Sequence, residues 1–105
     1  MHRLISEKQN RISDLCRRFN VGRLEVFGSA ADANDGGFDE ASSDADFLVE
    51  FLKPASLGPL DEYFGLRGEL EALLGRAVDL VELSAIKNPY VRNSIERSRE
   101  LVYAA

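Results

Sequence analysis

The acidic residues with the clearest chemical pattern are Asp44 and Asp46, which open the hydrophobic segment 44–51. Side chains two residues apart on a strand point to the same face, so the two carboxylates project together. Carboxylates that close resist ionising side by side, whereas Mg²⁺ prefers oxygen ligands of this kind. Taken alone, the pair fits both a metal site and a turn of solvated acids at the start of a strand.

A third acid, Asp79, lies inside the apolar segment 77–83, where an unpaired charge would be costly. If this segment forms a strand beside 44–51, Asp79 completes a cluster of three carboxylates. Such a cluster suits two Mg²⁺ ions about 3.5–4 Å apart, one activating an attacking oxygen and one holding nucleotide phosphates. The alternative is a structural ion pair between Asp79 and a base such as Arg76.

Gly28 is the last residue of the short hydrophobic segment 23–28, and Ser29 follows it directly. Glycine at the end of a strand allows a phosphate to approach the backbone closely. Ser29 offers a hydroxyl and, if a helical turn begins there, backbone N–H groups that bind anions. Ser29 could also do no more than cap that turn. Together with the three aspartates, these motifs form a joint pattern that makes mechanistic sense for nucleotidyl transfer.

Hydrophobic spacing places these motifs on a regular alternation of helices and strands. The predicted strands are 23–28, 44–51 and 77–83. The predicted helices are one over 3–19, one that begins at Pro59 and stops at Gly75, and a last one that begins at Asn88 and Pro89. The last helix carries four residues on one face: Val91, Ile95, Ser98 and Leu101. Both faces of 44–51 are apolar beyond the carboxylates, which predicts a central strand. We therefore expect one α/β (α+β) domain over 1–105, a small mixed sheet flanked by helices.

Composition restricts the class of protein further. The chain has 105 residues, 45% apolar and 30% charged, with a net charge of −5, which is typical of a soluble domain. The apolar runs are too short for a membrane span, and the charged N-terminus does not fit a signal peptide. Cys16, the one cysteine, excludes an internal disulfide, fits a core position and agrees with a cytoplasmic location. Between Arg23 and Lys53 there are eight acids and no Lys or Arg, which argues against direct nucleic-acid binding.

The chain resembles the minimal nucleotidyltransferase (MNT) domain of the DNA polymerase β-like superfamily. The matching stretches are 27–29 (FGS), 43–51 (SDADFLVEF) and 74–81 (LGRAVDLV). A Gly-Ser or an Asp-x-Asp by itself would be a weak signal, but all three stretches occur here in the family's order. The resemblance extends over residues 5–103 and implies the nucleotidyltransferase fold.

The resemblance also implies roles for individual residues. Asp44 and Asp46 would be metal ligands, Asp79 the third carboxylate and general base, and Gly28 and Ser29 the triphosphate contact. The cofactor would be Mg²⁺, with two ions, and ATP the substrate. Small MNT proteins are often encoded beside a HEPN-domain toxin and transfer AMP to its tyrosine, which implies an antitoxin with a HEPN partner.

The chain departs from the family pattern after Ser29, where relatives carry a basic residue. Here the residue is Ala30, and the segment that follows is longer than usual and acidic or neutral. A triphosphate would lose a charge-assisted contact of about 1.5–3 kcal/mol. Lys87, Arg92 and Arg97, or the partner, could supply the charge, and Ala30→Arg should restore it. The alternative function is a catalytically vestigial antitoxin that neutralises its partner by contact.

Overall fold

The computed structural model describes residues 3–27, 45–52, 59–82 and 99–105, which form three helices and four strands. The helices are α1 (Arg3–Glu7), α2 (Gln9–Arg18) and α3 (Pro59–Leu74), and the strands are β1 (Val21–Phe27), β2 (Ala45–Phe51), β3 (Val78–Glu82) and β4 (Glu100–Ala104). The strand order is β3-β2-β1-β4, with β1 antiparallel to β2 and β4, and β2 parallel to β3. The predicted mixed sheet flanked by helices is confirmed.

Strand β2 lies between β3 and β1, as its two apolar faces predicted. Phe47 on one face and Leu48 on the other are both buried. A strand with a neighbour on each side and a cover on each face shields its whole backbone from water. Asp46 thus belongs to a central strand of the sheet.

The hydrophobic core lies between one face of the sheet and the three helices. Its buried members include Ile5, Ile12, Cys16, Leu24, Val26, Phe47, Val49, Leu66, Leu70 and Leu80. The prediction that Cys16 is a core residue is confirmed. Burial raises the pKa of its thiol to about 12, against a smaller opposing effect of Arg17, so the thiol stays protonated at neutral pH.

The N-terminal helix predicted over 3–19 is divided in two at Lys8, which corrects the prediction of one continuous helix. Lys8 leaves the helical region at φ −106° and ψ 11°. Its Nζ donates a hydrogen bond of 2.7 Å to the carbonyl of Leu73, in the last turn of α3. A helix leaves its last carbonyls without internal partners, and a lysine is well suited to them. The break in the helix at Lys8 therefore accompanies a contact with α3, which hydrophobic periodicity cannot predict.

The predicted last helix is wrong at its end, because Leu101 belongs to a strand. Residues 100–104 form β4 and pair with β1, Val26 with Glu100 and Leu24 with Tyr103. Without β4, β1 would be an edge strand with a row of unpaired backbone groups. The helical spacing of Val91, Ile95 and Ser98 lies outside the described residues. The predicted helical pattern thus included one apolar residue too many, Leu101, which belongs to a short strand with a β-branched and an aromatic residue.

Two glycines of α3 predict opposite effects of the same substitution. A Cβ on Gly65 would lie 2.4 Å from Cε1 of the buried Phe19 ring, whereas a Cβ on Gly68 would meet nothing within 4 Å. Gly68→Ala should raise the free energy of unfolding by about 0.5–1 kcal/mol through helix propensity. Gly65→Ala should lower it, because overpacking costs about 1–3 kcal/mol. Urea unfolding of both variants measures the difference, and equal changes would contradict this packing of α3 on α2.

Candidate active site

The site forms where β2 and β3 run side by side. Asp46 pairs in register with Asp79, as the sequence predicted for two neighbouring strands. Directly paired residues point to the same face, and neighbouring strands lie about 4.8 Å apart. The two carboxylates therefore project together from the face opposite the helix-covered core. We call this side of the sheet the carboxylate face, and Asp46 with Asp79 the acidic pair.

The setting of Asp79 differs from the apolar surroundings that its sequence predicted. Its side chain is exposed, while its neighbours Val78 and Leu80 are buried on the other face. The flanking Val78 and Leu80 belong to the core, so the alternation of side chains along a strand, and not burial of the acid, explains their presence beside Asp79. Among the ion pairs between described residues there is none between Asp79 and Arg76. The alternative of a structural pair with another base involves residues outside the described ranges and stays a prediction.

Three further predicted site residues, Asp44, Gly28 and Ser29, lie outside the described residues. Asp44 directly precedes the first residue of β2 in the chain, and Gly28 directly follows the last residue of β1. That last residue, Phe27, pairs with Asp46. The described ends of β1 and β2 therefore meet at the acidic pair, and the roles predicted for these three residues stay predictions.

The pair of carboxylates fits a divalent cation in charge and in donor type. Oxygen ligands from one or two carboxylates are what Mg²⁺ takes from proteins, with waters and phosphates completing its coordination. Two like charges directly opposite one another on neighbouring strands destabilise a sheet unless a cation offsets them. Within the described ranges no three potential ligands come together. Asp46 and Asp79 are thus the described part of the predicted carboxylate trio.

A second charged group on the carboxylate face was missed by sequence reasoning. Glu25 of β1 is 5% exposed and lies opposite Leu48. Arg23 Nε is 3.1 Å from its Oε1, and Arg99 Nε is 3.4 Å from its Oε2. An acid flanked by Leu24 and Val26 in a strand needs a cationic partner once buried, and this signal was present in the sequence. Arg99, however, is 74 residues away along the chain (99 − 25), so only the pairing of β4 with β1 identifies it.

Comparison with known proteins gives a family match over most of the chain. Residues 10–102 match the family described as nucleotidyltransferase domain. The protein adenylyltransferase MntA of Thermococcus cleftensis is 38% identical over 90 residues, which are 86% of this chain and 81% of the relative. Within the described ranges, no helix combines the length and the apolar character needed to cross a bilayer.

Solved structures show the same fold. One described provisionally as a minimal nucleotidyltransferase has a TM-score of 0.70 and 30% identity, covering 90% of this chain and 89% of the other. Another is the MNT antitoxin complex with the tri-AMPylated HEPN toxin of Shewanella oneidensis, with a TM-score of 0.63. It is 18% identical, covering 96% of this chain and 73% of the matched chain. At that identity the likeness concerns the fold alone.

Proposed function

Because the chain belongs to the nucleotidyltransferase domain family, we propose that it transfers AMP from ATP to a protein hydroxyl and thereby acts as the antitoxin of a HEPN-type toxin. The observation that carries the proposal is the register of Asp46 with Asp79 on the carboxylate face. A protein adenylyltransferase at 38% identity supports the reaction type. Cytoplasm, where ATP and Mg²⁺ are both available, is the location that this function requires.

The site residues divide the work between metal binding and proton transfer. Asp44, Asp46 and Asp79 would hold two Mg²⁺ ions, and Gly28 with Ser29 would contact the triphosphate through a hydroxyl and backbone N–H groups. Mg²⁺ would neutralise negative charge on the phosphates during transfer. Asp79, being exposed, can accept the proton of the acceptor hydroxyl and release it to water.

The reaction balances as one displacement at phosphorus. The acceptor oxygen forms a bond to the α-phosphorus of ATP, and the bond from that phosphorus to the α,β-bridging oxygen breaks. Pyrophosphate leaves with the electron pair of the broken bond, and the acceptor loses its proton to Asp79. Positioning and electrostatic stabilisation supply most of the rate in phosphoryl and nucleotidyl transfer.

The partner is proposed to carry the acceptor. The Shewanella oneidensis structure joins an MNT antitoxin to an AMP-modified HEPN toxin, and its MNT chain has the present fold. A toxin of this type would present a hydroxyl side chain, for which tyrosine is the expected residue, to the carboxylate face.

A second function has one specific observation in its favour. No Lys or Arg follows Ser29 before Lys53, so a local positive charge for the triphosphate is missing from that part of the sequence. An antitoxin that neutralises its toxin by contact would not need that charge. The two functions share the partner and differ in whether AMP is transferred.

The deciding experiment first identifies a HEPN protein by its reading frame next to this gene, and then combines that protein with this chain and with ATP labelled at the α-phosphate. The adenylyltransferase function predicts label on the toxin, dependent on Mg²⁺ and abolished by chelator, together with lost toxin activity. Neutralisation by a stable complex without any label would establish the contact antitoxin instead. If the chain neither binds the toxin nor transfers AMP to it, both proposed functions are overturned.

A further inference from the structure

The Glu25 cluster, formed by Glu25, Arg23 and Arg99, places two guanidinium groups on the carboxylate face. Each oxygen of the buried Glu25 carboxylate has its own guanidinium, Arg23 on Oε1 and Arg99 on Oε2. One negative and two positive charges leave a net charge of +1. The described strands otherwise place the acids Asp46, Asp79 and Glu50 on this face, so the position of each arginine relative to Asp46 decides which of them can meet an anion there.

The register of β1 shows that the cluster and the acidic pair share one face. Phe27 pairs with Asp46, and Glu25 pairs with Leu48 two residues along. Since alternate residues of a strand share a face, Glu25 lies on the same side of the sheet as Asp46. Its two arginines reach the carboxylate from that side.

Arg99 is the cluster member nearest the acidic pair along the strands. It directly precedes Glu100, which pairs with Val26, the neighbour of Phe27. Arg23 pairs instead with Glu50, four residues along β2 from Asp46. Strand β4 is two strands from β2, which corresponds to about 10 Å across the sheet. Arg99, and not Arg23, is therefore level with Asp46 along the strands, the position from which it would meet a triphosphate that extends across the sheet from Asp46.

The contact with Glu25 orients Arg99 without using up its hydrogen-bonding capacity. A guanidinium has five N–H donors in a rigid fork, and the contact with Glu25 involves Nε. The side chain is 33% exposed, so part of it is accessible to a ligand, whereas Glu25 is buried. Arginine held in this way binds phosphate with little loss of side-chain entropy.

We propose that Arg99 binds the triphosphate of the nucleotide and that Glu25 is the positioning residue that holds it there. Arg99 thus supplies the positive charge that is missing after Ser29. This inference rests on the proposed function, since it assigns a residue to the binding of its substrate. In this chain Arg99, which directly precedes β4, would take the place of the basic residue that relatives carry just after Ser29.

The test compares dissociation constants for ATP and AMP, by calorimetry at fixed Mg²⁺, in the wild type, Arg99→Gln and Arg23→Gln. Arg99→Gln should weaken ATP binding about tenfold to a hundredfold, the loss of one charge-assisted contact, and leave AMP binding nearly unchanged. Arg23→Gln is the matched control, because it removes the other guanidinium from Glu25. It should change ATP binding less than about threefold, as a residue without a phosphate contact.

Two further variants keep the outcome interpretable. Arg99→Lys retains the charge and should bind ATP more tightly than Arg99→Gln, and thermal unfolding shows that each variant is folded. Ala30→Arg in the Arg99→Gln background should recover most of the lost ATP affinity.

The possible failures are distinguishable. Equal ATP binding by wild type and Arg99→Gln overturns the role of Arg99 and leaves the proposed function standing. If Arg23→Gln and Arg99→Gln weaken ATP binding equally, the effect comes from disturbed packing of Glu25, and the role of Arg99 is again overturned. Absence of ATP binding by the wild type, alone and with its partner, removes the proposed enzyme and this inference with it.

Discussion

Asp79→Asn is expected to leave the protein folded and to reduce AMP transfer to the partner by about a thousandfold or more. Asparagine is nearly isosteric with aspartate but is neither a base nor an anionic metal ligand. Metal-assisted stabilisation contributes several kcal/mol, and each 1.36 kcal/mol corresponds to about tenfold in rate. Transfer of labelled AMP under single-turnover conditions measures the loss.

The same substitution should not lower the melting temperature. Asp79 is exposed and lies opposite Asp46, so removing one of two like charges is neutral or slightly stabilising. Glu50→Gln is the matched control, because it removes a carboxylate from the same face of β2, four residues from Asp46, and should retain transfer. Full activity in a folded Asp79→Asn variant would exclude Asp79 from the reaction.

Phe47→Ala is expected to cause the largest loss of stability, about 3–5 kcal/mol in the free energy of unfolding. Phe47 is fully buried at the centre of β2, between Val26 of β1 and Leu80 of β3. Its removal leaves a cavity in the middle of the sheet that the two fixed neighbouring strands cannot close. Against a typical total stability of about 5–15 kcal/mol, much of the margin would be gone.

Phe51→Ala supplies the comparison for this prediction. It is the same chemical change on the same strand and face, but Phe51 is only partly buried at the end of β2. We expect less than half the loss, since water can fill the space that is left. Urea unfolding with equal m-values in both variants gives the comparison, and equal losses would contradict the central place of Phe47 in the core.

The periodic parts of the fold were predictable because their information is local. The 3.6-residue spacing of Leu66, Leu70 and Leu74 predicted α3, and Gly75 at φ +68° ends it as predicted. The two apolar faces of β2 predicted its central position. Membership of the nucleotidyltransferase family was predicted from three short motifs and is confirmed. Lys8 and Leu101 escaped prediction because their conformations depend on α3 and β1, which are distant in the chain.

For the site, the sequence by itself determined the residue types: Asp44 and Asp46 two residues apart in the chain, Asp79, and the absence of a base between Ser29 and Lys53. Only the tertiary structure decided which of them meet. The register of two parallel strands placed Asp46 against Asp79, because one residue of slip would have turned one carboxylate into the core. It also decided that Asp79 is exposed and that Arg99 reaches Glu25. Both follow from strand pairing between distant segments, whose energy depends on packing across the sheet and not on local sequence.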